Sequence, residues 1–388
     1  MSDPKVIIIG SHHHNTLGVI RAIGRSGINP VVIMTRILKS SYILKSKYIS
    51  RSVQLNGNDK VIPYLLEHYT DDIEKPVLIA CHDIISEILD KNRTTLSKYF
   101  YVPGTKEQQL EKLTNKQAMT KLASFIGLNV PFSVVSNEEF DINNLPYPVI
   151  TKPSASKNGT KHDIVICQTK ESLHKFLSQR ASREFQIQKF INKDFEFQLI
   201  GCSINDGNEI IIPGISKLIR TASGSNTGFL LYTSLSSEFN KTINYTKKFI
   251  RATGYSGLFS VEFIRGKDGE DYFMEMNFRN DGNAICATNA GANLPMFWVQ
   301  RCIGIQTNAP EIKRHEYTLP EYNEIDLWFN GGIKTSEFIK DLRLTTSYME
   351  YASDDPAPTN GHSDFFKKLI IAILKRPFYQ VAKKIGLR

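Results

Sequence analysis

Two apolar runs joined by a turn carry the side chains whose types and spacing favour metal chemistry. Leu258–Arg265 and Asp271–Asn277 alternate in the manner of β-strands, and the Asp-Gly sequence at 268–269 is typical of a two-residue hairpin turn. Antiparallel pairing across such a turn places Glu262 directly opposite Glu275. Two carboxylates that face each other repel, so this pair destabilises a sheet unless a cation lies between them.

The same register predicts a set of oxygen ligands for magnesium. It pairs Ile264 with Phe273 nearer the turn, and strand alternation puts Asn277 on the face that carries Glu275. Two carboxylates and one amide oxygen suit Mg²⁺, or Mn²⁺, and leave coordination places for phosphate oxygens and water. The alternative is a solvated hairpin with incidental acids, which the otherwise apolar and aromatic strands argue against.

This pattern resembles the metal-binding strands of the ATP-grasp superfamily of ligases. Glu262 looks like the first acid of that family, and the run Glu275-x-Asn277-x-Arg279 looks like its second strand. The resemblance implies that both glutamates and Asn277 hold Mg²⁺ ions that bridge the phosphates of ATP. It also implies that Arg279 contacts phosphate or the activated carboxylate.

The resemblance extends upstream to two lysines and a loop. Lys116, at the start of a predicted helix over 115–125, looks like the family's first phosphate-binding lysine, and Lys152, at the end of a predicted strand, looks like the second. The loop Ser154–Lys161 then resembles the lid over the phosphates, to which Lys161 could add a contact. Taken alone, either of the first two lysines is more often a solvated surface residue.

A further strand resembles the segment of the family that recognises the adenosine of ATP. Gln188 and Lys189 lie where the family has the hinge strand whose backbone binds adenine, although an acid is frequent where Lys189 stands. Glu196, on the next predicted strand, looks like the glutamate that accepts hydrogen bonds from the ribose hydroxyls. A strand-face acid at solvent is the alternative for Glu196.

The activity implied by the resemblance is that of an ADP-forming carboxylate–amine ligase. In the family, a carboxylate attacks the γ-phosphate of ATP, and an amine, or less often a thiol, then displaces phosphate from the acyl phosphate. Residues 16–28 resemble a subgroup that includes D-aspartate ligases and relatives linked to cell-envelope and polysaccharide metabolism. Small carboxylate and amine substrates are therefore expected. The alternative is a nucleotide-binding protein without ligase turnover.

The hydrophobic pattern predicts an α/β N-terminal domain followed by α+β lobes with antiparallel sheets and a short C-terminal extension. Strand and helix patterns alternate over the first hundred residues, which indicates a parallel sheet covered by helices. We predict an N-terminal domain over 1–105, an ATP-grasp small lobe over 106–185, a large lobe over 186–310 and an extension over 311–388. Within the extension, the polar stretch 354–363 is predicted to be a linker.

Composition and charge narrow the classes of partner. The 388 residues carry a formal charge of +9, which is compatible with nucleotides, nucleic acid or an anionic membrane surface. The aromatic residues are not arranged as base-stacking platforms among basic residues, so no nucleic-acid partner is expected. Five scattered cysteines without CxxC spacing, no signal peptide and no bilayer-long apolar run predict a cytoplasmic protein. A homodimer is the default expectation for its assembly.

The C-terminal stretch 364–388 alternates apolar residues with Lys and Arg. One interpretation is a basic amphipathic helix that lies on the anionic inner face of a membrane, close to a lipid-linked substrate. The other is a helix that docks on the body of the protein or on a second subunit, which is the commoner arrangement.

Overall fold

The computed structural model describes residues 4–137, 139–153, 164–180, 184–221, 228–359 and 363–384. Within these ranges the strands form three β-sheets. The strands are β1 (Val6–Gly10), β2 (Val31–Met34), β3 (Arg51–Gln54), β4 (Val77–Ala80), β5 (Gly104–Thr105), β6 (Ser133–Val135), β7 (Val149–Pro153), β8 (Val165–Cys167), β9 (Phe185–Lys189), β10 (Lys193–Ile204), β11 (Glu209–Thr221), β12 (Gly228–Ser234), β13 (Tyr255–Gly266), β14 (Asp271–Asn277), β15 (Glu316–Leu319) and β16 (Ser347–Tyr348). The α-helices are α1 (His14–Gly24), α2 (Val61–His68), α3 (Asp83–Lys91), α4 (Arg93–Leu96), α5 (Leu110–Leu113), α6 (Lys116–Ile126), α7 (Lys170–Ser178), α8 (Asn240–Thr253), α9 (Ile285–Asn289), α10 (Leu294–Cys302), α11 (Glu321–Phe329), α12 (Thr335–Leu344) and α13 (Ser363–Lys384).

The N-terminal sheet is parallel, as the alternating strand and helix pattern predicts. Its strand order is β3-β2-β1-β4, and both faces of β1 are covered. Ile7 and Ile9 pack on the side of α2 and α3, whereas Val6 and Ile8 join a core shared with α1 and α10. A strand that is buried on both faces needs a continuous apolar run, which is the sequence that β1 has.

The small sheet is antiparallel, with the order β6-β9-β7-β8, and α7 packs on it through Leu173 and Phe176. Strand β9 pairs with β7 along its whole length. The predicted division between residues 185 and 186 therefore falls inside a strand of this sheet. The four domain ranges stay predictions.

The large sheet has the order β14-β13-β10-β11-β12-β15-β16 and is antiparallel apart from the β15–β16 pair. One face packs on α6 and α8 through a cluster of buried aromatic side chains that includes Phe197, Phe259 and Phe263. Strand β11 continues past Pro213 to Thr221. The antiparallel α+β architecture that the sequence predicts is confirmed.

Helix α6 is capped at both ends. The Asn115 side chain accepts hydrogen bonds from the backbone N–H groups of Gln117 and Ala118, both at 3.1 Å. Gly127 ends the helix in the left-handed region, with φ of 102°. These caps fix the first helical residue as Lys116.

The turn between β13 and β14 is longer than predicted. Residues 267–269 form the loop, and Gly269 takes a φ of +82°, as in three-residue hairpin loops. Ile264 consequently pairs with Tyr272, so the predicted pairing of Ile264 with Phe273 is wrong.

A register shift further along these strands compensates for the longer turn. The ladder is irregular between Glu262 and Phe263, in the manner of a β-bulge. Beyond that point Glu262 pairs with Glu275, and Ser260 pairs with Asn277. The predicted opposition of the two glutamates is therefore confirmed, although the reasoning from the turn missed the compensating shift.

The segment after residue 310 is more structured than its sequence indicates. Asp355 is fully buried and accepts a hydrogen bond from Arg21 Nε of α1 at 3.0 Å. Asp354 pairs with Arg25 at 2.8 Å. The prediction of a linker is thus wrong for residues 354–359, while 360–362 lie outside the described residues.

The C-terminal tail forms α13, and one face of this helix packs on α11. Docking on the body of the protein is therefore confirmed for that face. Of the helices that the structure describes, none is long and apolar enough to cross a membrane.

Candidate active site

A cavity of about 410 Å³ lies between the small sheet and the large sheet. Its walls combine cationic, acidic and amide side chains, an unusual mixture for a site without an ionic ligand. We call it the interlobe cavity. Six of the predicted site residues line it: Lys116, Lys152, Gln188, Glu196, Glu262 and Glu275.

Asn277 lies beside the acidic pair and is not among the described residues that line the cavity. Its Nδ2 donates to Glu262 Oε1 and to Ser260 Oγ, both at 3.2 Å, and its Oδ1 accepts from Arg279 at 3.1 Å. The amide thus contacts one glutamate of the pair and Arg279. It is 9% exposed.

The electrostatics of the acidic pair favour a bound cation. Burial, together with the negative charges of Glu275 and Asp281, raises the pKa of Glu262 to about 8. Hydrogen bonds from Gln198 Nε2, at 3.1 Å, and from Asn277 only partly offset this effect. A divalent ion removes the repulsion, and the carboxylate and amide oxygens are the donors that Mg²⁺ prefers. The residues present therefore fit the ion.

Lys116 of α6 and Lys152 of β7 also line the interlobe cavity. Lys152 Nζ, at the end of β7, donates to Gln188 Oε1 of β9 at 2.9 Å. Burial and the nearby charge of Lys116 lower the pKa of Lys152, whereas Glu275 and Glu196 act in the other direction. Two cations held this close favour a polyanion between them. The predicted Lys161 contact lies outside the described residues.

The residues predicted to contact adenosine separate into two groups. Gln188 and Glu196 line the cavity, and Glu196 forms an ion pair with Lys193 at 2.6 Å. Lys189 is not among the described residues of the cavity wall, and its Nζ lies 5.6 Å from the centre of the Tyr272 ring. The Lys189 side chain thus turns away, although its backbone stays in the strand that borders the cavity.

Arg279 connects the acidic pair with the N-terminal sheet. It makes a two-point contact with Asp83 at the start of α3, with Nε at 2.8 Å and the second terminal nitrogen at 3.2 Å. Asp281 lies 3.6 Å away. The guanidinium is held by two carboxylates and by Asn277, so it is oriented before any ligand arrives.

Comparison with known proteins identifies the architecture. No family model matches the chain. D-aspartate ligase from Enterococcus faecium is 24% identical over 253 residues, which are 60% of this chain and 59% of that protein. The chain thus spans about three-fifths of the length of this relative.

Two solved structures superpose on most of the chain. The L-amino acid ligase from Bacillus licheniformis covers 78% of this chain and 75% of its own, with a TM-score of 0.58 and 17% identity. An N5-carboxyaminoimidazole ribonucleotide synthetase in complex with ADP covers 82% and 81%, with a TM-score of 0.60 and 17% identity. The chain therefore has the ATP-grasp fold of these proteins. The fold predicted from the two metal-binding strands and the lysines is therefore confirmed.

The interlobe cavity contains polar residues that the sequence reasoning missed. Gln198 bridges Glu262 and Asn283, because its Oε1 accepts from Asn283 Nδ2 at 3.0 Å. Asn283 Oδ1 is buried and accepts no hydrogen bond within the described part of the chain. Strand parity with Glu196 could have indicated Gln198. No local signal marks Asn283, which reaches the cavity only through the fold.

The N-terminal sheet of this ATP-grasp chain meets the site at the carboxyl ends of β1 and β4. Asn15 Nδ2 donates to Cys81 O and Asn280 O, both at 2.7 Å. Strands β2 and β4 lie on opposite sides of β1, so the chain connections leave β1 in opposite directions. The carboxyl end of β1 is therefore a topological switch point of the parallel sheet. Ligands of open α/β sheets commonly bind in the crevice at such a point. Arg279 and Asp83 lie at this edge.

Two basic residues of β11 contact other parts of the ATP-grasp fold. Lys217 Nζ lies 4.8 Å from the centre of the Phe195 ring. Arg220 forms ion pairs with Glu324 at 2.6 Å and Asp341 at 2.7 Å, which belong to α11 and α12. Arg220 thus ties the large sheet to the C-terminal helices.

Proposed function

We propose that this chain is an ADP-forming ligase that activates a carboxylate with ATP and joins it to an amine. The observation that carries the proposal is the interlobe cavity, where Glu262 and Glu275 face Lys116 and Lys152. Opposed acidic and cationic walls suit a metal–nucleotide complex. The names of D-aspartate ligase and L-amino acid ligase support a carboxylate–amine reaction on the same fold.

ATP and Mg²⁺, with Mn²⁺ as a substitute, are the proposed cofactors. Glu262, Glu275 and Asn277 would hold the ion, since they supply the oxygens that it prefers. When bound, the ion neutralises negative charge on the phosphates of ATP. The ribonucleotide synthetase was solved as an ADP complex, which supports an adenine nucleotide in the corresponding cavity.

Lys116 and Lys152 are proposed to bind the phosphates. Phosphoryl transfer needs mainly positioning and charge neutralisation, which two fixed ammonium groups supply without covalent chemistry. The pKa of Lys152 is lowered by burial and by Lys116 in the free protein, and a polyphosphate between the two lysines would reverse this effect. Lys161 is proposed as an additional phosphate contact.

The adenosine is proposed to lie along β9, with the backbone of Gln188 and Lys189 at the adenine. Glu196 is proposed to accept hydrogen bonds from the ribose hydroxyls. Its present partner Lys193 is about half exposed, so an exchange of this surface ion pair for ribose costs little.

Arg279 is proposed to orient the carboxylate substrate at the edge of the N-terminal sheet. A carboxylate oxygen attacks the γ-phosphorus, the bond to the β,γ-bridging oxygen breaks, and ADP leaves. The amine then attacks the acyl carbon, inorganic phosphate leaves and the amine loses a proton. In the first step, the positive charges of Arg279 and Lys152 stabilise the negative charge that develops on the transferred phosphoryl group.

Finer proposals concern the setting of the reaction. We propose small-molecule substrates in cell-envelope or polysaccharide metabolism, a cytoplasmic location with peripheral contact at the inner membrane face, and a homodimer as the assembly. The biotin carboxylase domain of the Hydrogenobacter thermophilus 2-oxoglutarate carboxylase, which has this fold, was solved as a dimer. No nucleic-acid partner is proposed.

Transfer of isotopic oxygen tests the proposal. The protein is incubated with Mg·ATP, amines and a panel of carboxylates labelled with ¹⁸O, and the nucleotide and phosphate products are analysed by mass spectrometry. The proposal predicts ADP, one amide product and one ¹⁸O atom in inorganic phosphate, because the attacking oxygen stays on phosphorus. AMP with labelled adenylate oxygen would contradict it. Tight ADP binding without turnover for any pair would favour a nucleotide-binding protein.

A further inference from the structure

Within the described part of the chain, one face of the C-terminal helix α13 packs on the protein. Phe365 and Ala372 are buried in a cluster with Trp328 of α11. The Arg376 guanidinium lies 4.7 Å from the centre of the Trp328 ring, and its Nε donates to Trp328 O at 3.0 Å. Gln380 Nε2 donates to the carbonyl oxygen of Phe329 at 3.0 Å. These four residues of α13 lie on one side of the helix and attach it to the protein.

The opposite side of α13 carries large apolar residues that water reaches. At 3.6 residues per turn they occupy an arc of about 160° around the helix axis. We call this surface the outer face, and its residues are Ile370 (55% exposed), Ile371 (50%), Ile373 (52%), Leu374 (66%) and Phe378 (78%). Soluble monomers rarely expose a contiguous apolar surface of this kind, so it indicates an interaction site.

The charge around the outer face selects its partner. Residues 364–388 contain seven Lys or Arg and one Asp, a formal charge of +6 out of the +9 of the whole chain. Lys367 lies within the arc of the outer face and Lys375 borders it, and both are exposed. A second copy would bring two segments of like charge together, whereas an anionic lipid surface complements both the charge and the apolar side chains.

We propose that the outer face of α13 binds the surface of an anionic lipid bilayer, with the helix in the plane of the interface. The 22 residues of α13 extend about 33 Å along that plane. The apolar side chains enter the boundary between headgroups and acyl chains, and Lys367 and Lys375 reach the headgroup phosphates. The proposal does not depend on the ligase function.

Vesicle co-sedimentation of the full chain tests the proposal. One set of vesicles is phosphatidylcholine and the other is an equimolar mixture with phosphatidylglycerol. Ile370→Ser/Leu374→Ser/Phe378→Ser removes apolar surface from the outer face, and Ile73→Ser, at a fully exposed position in the N-terminal region, is the matched control. Substitution is preferable to deletion of α13, because deletion exposes Trp328.

The proposal predicts binding to the anionic vesicles only, weakened by salt. The triple variant should bind at least about tenfold more weakly, and Lys375→Gln about fivefold more weakly, while Ile73→Ser binds like wild type. The fluorescence of Leu374→Trp should shift to the blue on anionic vesicles. Equal binding of wild type and triple variant, or no binding, overturns the proposal. So does a triple variant that dissociates a dimer in sedimentation velocity without a change in vesicle binding.

Discussion

Glu262 lies directly opposite Glu275 on paired strands, within the wall of the interlobe cavity. Like charges in this position destabilise the sheet, and burial adds to the effect by raising the pKa of Glu262. A protein keeps such a pair where a cation compensates for it. We propose that the pair is the structural basis for a metal–nucleotide site.

The first prediction concerns metal binding. Mg²⁺ or Mn²⁺ should raise the melting temperature of the wild-type protein. At a hundredfold excess of the ion over its Kd, binding adds about 2.7 kcal/mol to the free energy of unfolding. Glu262→Gln and Glu275→Gln should lose most of this gain, because each removes a charged ligand. Glu270→Gln, in the same hairpin but outside the cavity, is the control and should respond like wild type. Equal stabilisation of all four proteins would refute the metal site.

A second prediction concerns the carboxylate that orients Arg279. Asp83→Asn should lower kcat about tenfold and leave the KM for ATP within about twofold, because it misplaces the guanidinium without removing it. Asp72→Asn, which removes the partner of Lys5 at the surface, serves as the control. Steady-state kinetics that show an unchanged kcat for Asp83→Asn would show that Arg279 needs no such support.

A third prediction concerns the pH dependence of stability. Burial raises the pKa of Glu321 to about 7, above the value of about 4.3 in an unfolded chain. A raised pKa means that the folded state binds the proton more tightly, so the stabilisation is present below about pH 4.3 and is lost as the pH rises through about 7. Glu321→Gln should remove this decline in urea denaturation between pH 5 and about 8.

The matched control for Glu321→Gln is Glu311→Gln, at an exposed position. It should keep the wild-type pH profile. A decline as large as that of the wild type in Glu321→Gln would assign the pH dependence to other groups, such as Glu262.

A fourth prediction concerns the buried ion pair that anchors the C-terminal segment. Arg21 and Asp355 are 1% and 0% exposed, and Ser46 Oγ also donates to Asp355 at 2.7 Å. Asp355→Asn should cost about 3 to 5 kcal/mol of unfolding free energy, because it leaves a buried cation without its counter-ion. Asp59→Asn, in an exposed pair with Lys60, should leave the unfolding free energy unchanged in the same denaturation assay. Similar losses for both variants would contradict the anchoring role.

The sequence predicted those parts of the molecule that depend on neighbouring residues. The position of α6 follows from the helical pattern over 115–125, and the parallel sheet follows from the apolar run at Val6. The opposition of Glu262 and Glu275 also follows from strand parity, although the longer turn and the compensating shift were not visible. Turn length depends on backbone conformations that an Asp-Gly pair permits but does not impose.

The parts that the sequence did not predict depend on contacts between distant segments. Asp83 and Asn283 join the site only because the fold brings the N-terminal sheet and the residues after β14 together. Asp355 lies in a stretch with the composition of a linker, and only its pairing with Arg21 reveals it as an anchor. Composition and periodicity carry no information about such pairs.

The most direct test of the central claim is ADP release from Mg·ATP by wild type, Glu275→Gln and Glu270→Gln. The assay contains the carboxylate and amine pair identified by isotopic transfer. We predict that the wild type and Glu270→Gln release ADP at similar rates, whereas Glu275→Gln releases at least about a hundredfold less and keeps its fold by circular dichroism. Wild-type turnover in a folded Glu275→Gln variant would contradict the assignment of the interlobe cavity as the active site.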